Sequence, residues 1–177
     1  KTFKQCPRKY YYQYIEKLPT FPNIHQVRGN IAHSALEDFF EINLAEITPE
    51  KYKQQIQAAM QQLCVLQWKK YTNALVGLGL RKDEEMFYFE ETMLMLLNWT
   101  NHFLKDLTAL MDQESCTLQE AFQRLTPIRE QHFKSAEHSV QGYVDAIKHV
   151  NEEVHIIDYK TNASFEFKEE IKLQLAI

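Results

Sequence analysis

The sequence predicts a mixed α/β (α+β) domain in which a long helical region precedes a small sheet. Three observations predict it. Apolar residues recur every three or four positions through the first two thirds of the chain, and after Pro127 the spacing shifts towards that of strands. Gly (4) and Pro (5) are too few for the turns of an all-β sandwich. At 177 residues, 45% apolar and 25% charged, the chain suits one packed domain and is too apolar for wholesale disorder. It begins at Lys1 and stops inside an apolar pattern at Ile177, and we read it as a fragment of a longer chain.

The elements follow in order. Pro7 suits a first helical turn, and Tyr11, Ile15 and Leu18 follow at helical spacing as a candidate core face. The run Tyr10, Tyr11, Tyr12, Tyr14 also offers rings on which bases could stack, a second reading of the same residues. After a break at Pro19–Pro22, Val27, Ile31, Ala35, Phe39 and Ile42 predict a helix over about 26–45. Thr48-Pro49-Glu50 has the chemistry of a helix start, and Tyr52, Ile56, Ala59, Leu63 and Leu66 continue it towards Tyr71. Gly77 and Gly79 mark a loop, a long helix runs from about 83 to 111, and Thr117-Leu-Gln-Glu120 is a capping box. Residues 128–133, 140–150 and 154–159 read as strands, the last two as an antiparallel hairpin with its turn over 149–153. From Glu166 the spacing of Phe167, Ile171 and Leu175 restores a helix.

Several classes of protein are excluded or disfavoured. The most apolar stretches, Met93–Leu97 and Ala74–Leu80, fall far short of the roughly 18 residues a membrane span needs, and no secretory signal is evident, so no membrane partner is expected. Three cysteines, at 6, 64 and 116, form no C-x-x-C and no paired framework, which points to a reducing, cytoplasmic setting. Net charge is −4, against bulk coating of nucleic acid. The charge is uneven, however. Residues 1–33 hold six basic groups (Lys1, Lys4, Arg8, Lys9, Lys17, Arg28) and one acid, Glu16, so this arm is +5 and the rest of the chain −9. Such an arm suits phosphate contact as well as a solvated face. No Gly-rich phosphate loop and no nucleophile triad is present.

The chemistry lies in Gly142-Tyr-Val-Asp145-Ala-Ile and Ile156-Ile-Asp158-Tyr-Lys160-Thr. Residues two apart on a strand share a face, so Asp158 and Lys160 project together. With the hairpin centred near Asn151, Asp145 falls beside Ile157 and reaches Asp158 through a bulge or twist. Two carboxylates held so suit a hard divalent cation, Mg²⁺ or Mn²⁺, which polarises a phosphodiester and lowers the pKa of bound water. A neighbouring ammonium can orient that water or neutralise developing charge. The bland reading of Asp-x-Lys is a solvated pair. Against it stand the apolar flanks Val144, Ala146, Ile156 and Ile157.

Together these motifs resemble the PD-(D/E)XK nucleases, in particular their RecB-like branch, which includes the RecB and AddB nuclease domains and the CRISPR-associated adaptation nucleases. The resemblance rests on Cys6-Pro-Arg-Lys-Tyr-Tyr-Tyr-Gln-Tyr14, Gly29-Asn-Ile-Ala-His33, Leu36-Glu-Asp-Phe-Phe40, Gly142–Asp145 and Asp158-Tyr-Lys160, with Gln174 fitting a Gln-x-x-x-Tyr motif whose Tyr would be residue 178. It covers about 3–40 and 128–177.

The resemblance implies a restriction-endonuclease-like core, a small mixed sheet flanked by helices. Residues 1–44 supply its N-terminal helices, 45–125 a helical insertion, and 126–177 the catalytic sheet and following helix, all in one domain. It implies His33, Asp145, Asp158 and the main-chain oxygen of Tyr159 as metal ligands, Lys160 as the catalytic lysine, and Gln174 as the residue positioning Lys160 or the scissile phosphate. Glu130 is a candidate supporting acid on the first strand. Lys4, Arg8, Lys9 and Arg28 are the candidate nucleic-acid contacts. In one subgroup the residue at Cys6 joins three C-terminal cysteines around a [4Fe–4S] cluster; no cysteine follows Cys116, so that cluster needs cysteines from a longer chain. Cys64 and Cys116 are expected to be packing thiols, and His132, His138, His149 and His155 surface residues.

The function implied is a metal-dependent DNase, exonuclease-like on single-stranded DNA in repair, recombination or CRISPR adaptation, working with a helicase or an adaptation partner. The alternatives are a non-catalytic nucleic-acid-binding or scaffolding domain of the same fold, and a helical interaction module centred on 45–125.

Overall fold

A computed structural model describes residues 2–19, 22–138, 140–150 and 153–161. They fall into two compact units, divided after Asn23. The predicted helix from Glu166 and Gln174 lie outside the described residues.

The first unit holds α1 (Thr2–Gln5), α2 (Pro7–Tyr10) and a π-helical turn (Tyr11–Ile15). Extended backbone at Cys6 separates the two α segments, and the Cys6 sulfur accepts the Lys9 N–H at 3.4 Å as the cap of α2. The expected core face is absent: Tyr11 is 47% and Ile15 58% exposed. Both residues lie in the π-helical turn, which buries none of its side chains.

The second unit, Ile24–Thr161, contains α3 (Ile24–Phe39), a 3₁₀ turn (Leu44–Glu46), α4 (Tyr52–Lys70), α5 (Thr72–Gly77), α6 (Lys82–Glu114), α7 (Leu118–Leu125) and three strands. Val27, Ile31, Ala35 and Phe39 are buried along α3, as their spacing requires. The helix stops at Phe39 rather than near 45. Its end tightens through Glu41 N–H to Asp38 O at 3.0 Å, and Phe40 joins Phe39 in packing against the core. α4 likewise begins four residues after Thr48. The Thr48 N–H and hydroxyl both donate to the Gln55 side-chain oxygen, at 2.8 and 3.1 Å, so the hydroxyl is not spent on a helical amide. The capping box at Thr117 forms as predicted, with the Glu120 carboxylate accepting the Thr117 N–H at 2.8 Å.

The region 45–125 is no appendage to α3. Phe39 meets Trp99 and Phe103 of α6 and Phe122 of α7, with ring centres 5.1, 5.2 and 5.7 Å apart, and Ile56, Met60 and Cys64 of α4 are fully buried in the same core. α3, α4, α6 and α7 therefore share one core. A small sheet cannot cover the apolar stripe of a sixteen-residue helix, and α4, α6 and α7 do. Truncating Phe39 to Ala would cost about 3–5 kcal/mol at such a site.

The strands β1 (Ile128–Ser135), β2 (Val140–Val150) and β3 (Glu153–Ile157) form an antiparallel meander in the order β1-β2-β3. Ile128 pairs with Ile147 across β1 and β2, and Ala146 with Ile157 across β2 and β3. With the helices before it, this meander makes the α+β class that the sequence predicts. Among the described residues, no helix is long and apolar enough to cross a membrane.

Candidate functional site

His33 projects from the middle of α3 towards the segment that follows β3. Its Nε2 lies 3.0 Å from the main-chain oxygen of Tyr159, and its Nδ1 lies 3.6 Å from Oδ2 of Asp145. The same Asp145 oxygen accepts the Tyr159 N–H at 2.8 Å. Three candidate donors, an imidazole, a carboxylate and a carbonyl, are thus brought together by one helix, one central strand and the residues after a third.

Across β2 and β3, Ile157 lies opposite Ala146, not opposite Asp145, one residue away from the pairing expected, and Asp158 follows immediately after β3.

Asp158 and Lys160, expected on a strand, lie just past the end of β3, and their carboxylate and ammonium pair at 2.5 Å. The ring of Tyr159, between them in sequence, turns the other way. It meets Trp99 edge-on at 6.2 Å and packs against the helical core. Burial, and secondarily the Asp145 charge, pushes the Tyr159 phenol up to about 12 against the opposing effect of a hydrogen bond with Trp99. The residue between the two charged ones therefore anchors them.

Gly29, one turn before His33, faces the same segment. A Cβ there would lie 3.7 Å from the Thr161 hydroxyl oxygen, ordinary contact. The chain after Lys160 therefore lies against α3 at this turn.

A cleft lies over the site, lined by His33, Leu36, Glu37, Phe40, Arg129, Asp145 and Tyr159. Sequence reasoning missed Arg129. From β1 it donates to the Glu37 carbonyl at 2.6 Å and to the Glu41 carboxylate, while its guanidinium carbon lies 5.5 Å from the centre of the Phe40 ring. It ties the end of the His33 helix to the strand beside Asp145. Its partners lie 88 and 92 positions away, so no local pattern marks it.

An imidazole nitrogen with carboxylate and carbonyl oxygens is a donor set that fits Mn²⁺ or Mg²⁺. The set is only partly assembled. With Asp158 paired to Lys160, no three His, Cys, Asp or Glu side chains among the described residues converge where a metal could sit. In this arrangement the Lys160 ammonium pairs with Asp158.

The remaining candidates divide. Lys4, Arg8 and Lys9 are exposed in the first unit. Arg28 is not available to nucleic acid. It is 7% exposed, donates from Nε to the buried Thr92 hydroxyl at 3.0 Å and pairs with Glu91 at 3.0 Å, fastening α3 to α6. On a helix the residue after Val27 lies only 100° round from it, close enough to the packed stripe to be drawn in. Cys6 caps a helix, Cys64 is buried with its thiol pushed up to about 11 by burial, and Cys116 is half-buried. His132, His138, His149 and His155 are exposed, as expected. Nothing is described of the Glu130 side chain.

No curated protein and no solved structure matches the chain. A family model does, along residues 1–177, and by that match the chain belongs to the PD-(D/E)XK nuclease superfamily.

Proposed function

We propose that this protein is a divalent-metal-dependent deoxyribonuclease that hydrolyses phosphodiester bonds, exonuclease-like on single-stranded DNA, in repair, recombination or CRISPR adaptation. The observation that carries the catalytic part is the convergence of His33, Asp145 and the Tyr159 carbonyl in one cleft, with Asp158 and Lys160 beside them. The single-strand, exonuclease and pathway parts rest on the resemblance to RecB-like nucleases, as do a helicase or adaptation partner and a cytoplasmic setting.

His33, Asp145, Asp158 and the Tyr159 carbonyl are the ligands in this reading. Mg²⁺ or Mn²⁺ bound by them would polarise a phosphate oxygen and activate a water. Asp145 has a second task, because by accepting the Tyr159 N–H it fixes the peptide that follows Asp158. Lys160 offers an ammonium to the attacking water or to charge developing on the phosphate. Gln174 positions Lys160 or the scissile phosphate, and Lys4, Arg8 and Lys9 contact the DNA backbone.

Cleavage of a single-stranded oligonucleotide, followed with Mg²⁺, with Mn²⁺ and with chelator, tests the reading. Activity should require the metal and should vanish in Asp158→Asn, which keeps the shape of the side chain and loses the charge that holds a cation. Full cleavage by folded Asp158→Asn would sink the assignment.

A further inference from the structure

In the first unit the aromatic rings stand in solvent. Phe3, Tyr11, Tyr12 and Tyr14 are 58, 47, 41 and 49% exposed. They are ordered among themselves. Phe3 meets Tyr10 edge-on at 5.4 Å, Tyr10 packs against Tyr14 at 5.0 Å with planes 30° apart, and Tyr11 touches Tyr12 at 5.7 Å. Cations are threaded through the rings: Lys4, Arg8 and Lys9 are all exposed, and the Arg8 guanidinium lies 5.7 Å from the centre of the Tyr12 ring. The one acid of this segment, Glu16, accepts a hydrogen bond from the Tyr11 hydroxyl at 2.5 Å.

Exposed rings interleaved with cations fit a polyanion whose flat apolar groups are unpaired. We propose that residues 3–14 bind single-stranded DNA, with bases stacking on Tyr12 and Tyr14 while Lys4, Arg8 and Lys9 meet the phosphates. A duplex hides its bases and offers this surface its phosphates alone. The choice of DNA rests on the nuclease reading, but the binding uses neither His33 nor Asp145.

The test is made on the full chain in chelator, where no cleavage intervenes. Fluorescence anisotropy compares a fifteen-nucleotide oligo-dT with an abasic strand of equal length. The intact strand should bind about tenfold more tightly or better, on the scale of one stacked base or more. Tyr12→Ala with Tyr14→Ala should abolish that preference and leave abasic binding within about twofold. Equal affinity for both strands in the unmodified protein, or a preference that survives in the folded double variant, overturns the proposal. Should the double variant not fold, photocrosslinking of the unmodified protein to a 5-iodouracil strand decides. Crosslinks within residues 3–14 support the proposal, and crosslinks confined to other segments overturn it. Loss of cleavage in Asp158→Asn bears on the catalytic reading alone, so the two can fail separately.

Discussion

Asp145 accepts the main-chain N–H of Tyr159 at 2.8 Å, so the carboxylate of one sequence motif is a structural support for the other. This separates two substitutions at the same position. Asp145→Ala removes the acceptor and leaves a part-buried amide unsatisfied, which should cost about 1–3 kcal/mol in urea unfolding. Asp145→Asn keeps an oxygen that can accept the same bond and should cost clearly less. Both should lose metal-dependent cleavage, because neither carries the charge. An Asn variant with undiminished cleavage would leave Asp145 with its structural task only.

Lys160 is bound to Asp158 at 2.5 Å, with side chains 34% and 27% exposed. Lys160→Met keeps the stem and removes the ammonium. The pair is partly exposed, so stability should change by under about 1 kcal/mol. Turnover at saturating metal should fall on the order of 10²-fold or more, since the charge developing on the phosphate loses its neutralising group. Unchanged turnover with weakened metal binding would assign the lysine to holding Asp158 in place.

How much of this was legible in the sequence depends on the range of each interaction. The stripe of α3 and the capping box at Thr117 are set by neighbours within four residues, and they stand as predicted. The hairpin of β2 and β3 was legible as a pairing but not in register, because one residue at the turn decides it. Arg28 looked like part of a basic arm because sequence shows charge and not direction. Its partners are Thr92 and Glu91, more than sixty positions away. Tyr11 and Ile15 were misjudged because spacing shows a shared face and not whether anything packs on it; both are exposed.

Arg129 shows what long range adds. It reaches the Glu37 carbonyl on the helix that carries His33 and the Glu41 carboxylate just past that helix's end. Its side chain is 23% exposed, whereas that of Glu41 is 70% exposed. The bond to the carbonyl should therefore matter more than the ion pair. Arg129→Gln should destabilise by about 1–3 kcal/mol in urea unfolding. Glu41→Gln should cost under about 1 kcal/mol, and the coupling between the two in a double-mutant cycle should be similarly small. A large loss in Glu41→Gln would shift the weight to the ion pair.

The anchoring of Tyr159 makes a prediction in alkali. Its phenol ionises near 10 in an unfolded chain and only at about 12 in the folded one, chiefly because it is buried and then because Asp145 is near. Between those values the unfolded chain has given up a proton that the folded chain retains, so stability should fall as pH rises from about 10 and level off above about 12. Below about 10 both states keep the proton and this residue contributes no slope. Tyr159→Phe preserves the main-chain carbonyl beside His33 and removes the titrating group. It should lose less stability than the unmodified protein between pH 9 and 11 in urea unfolding, whatever its stability at neutral pH. In the ultraviolet titration of the folded protein, the latest phenolate absorbance to appear should be missing from the variant. Identical alkaline slopes in the two proteins would mean that the ring ionises as freely when folded as when unfolded, and is not the anchor of the Asp158–Lys160 segment.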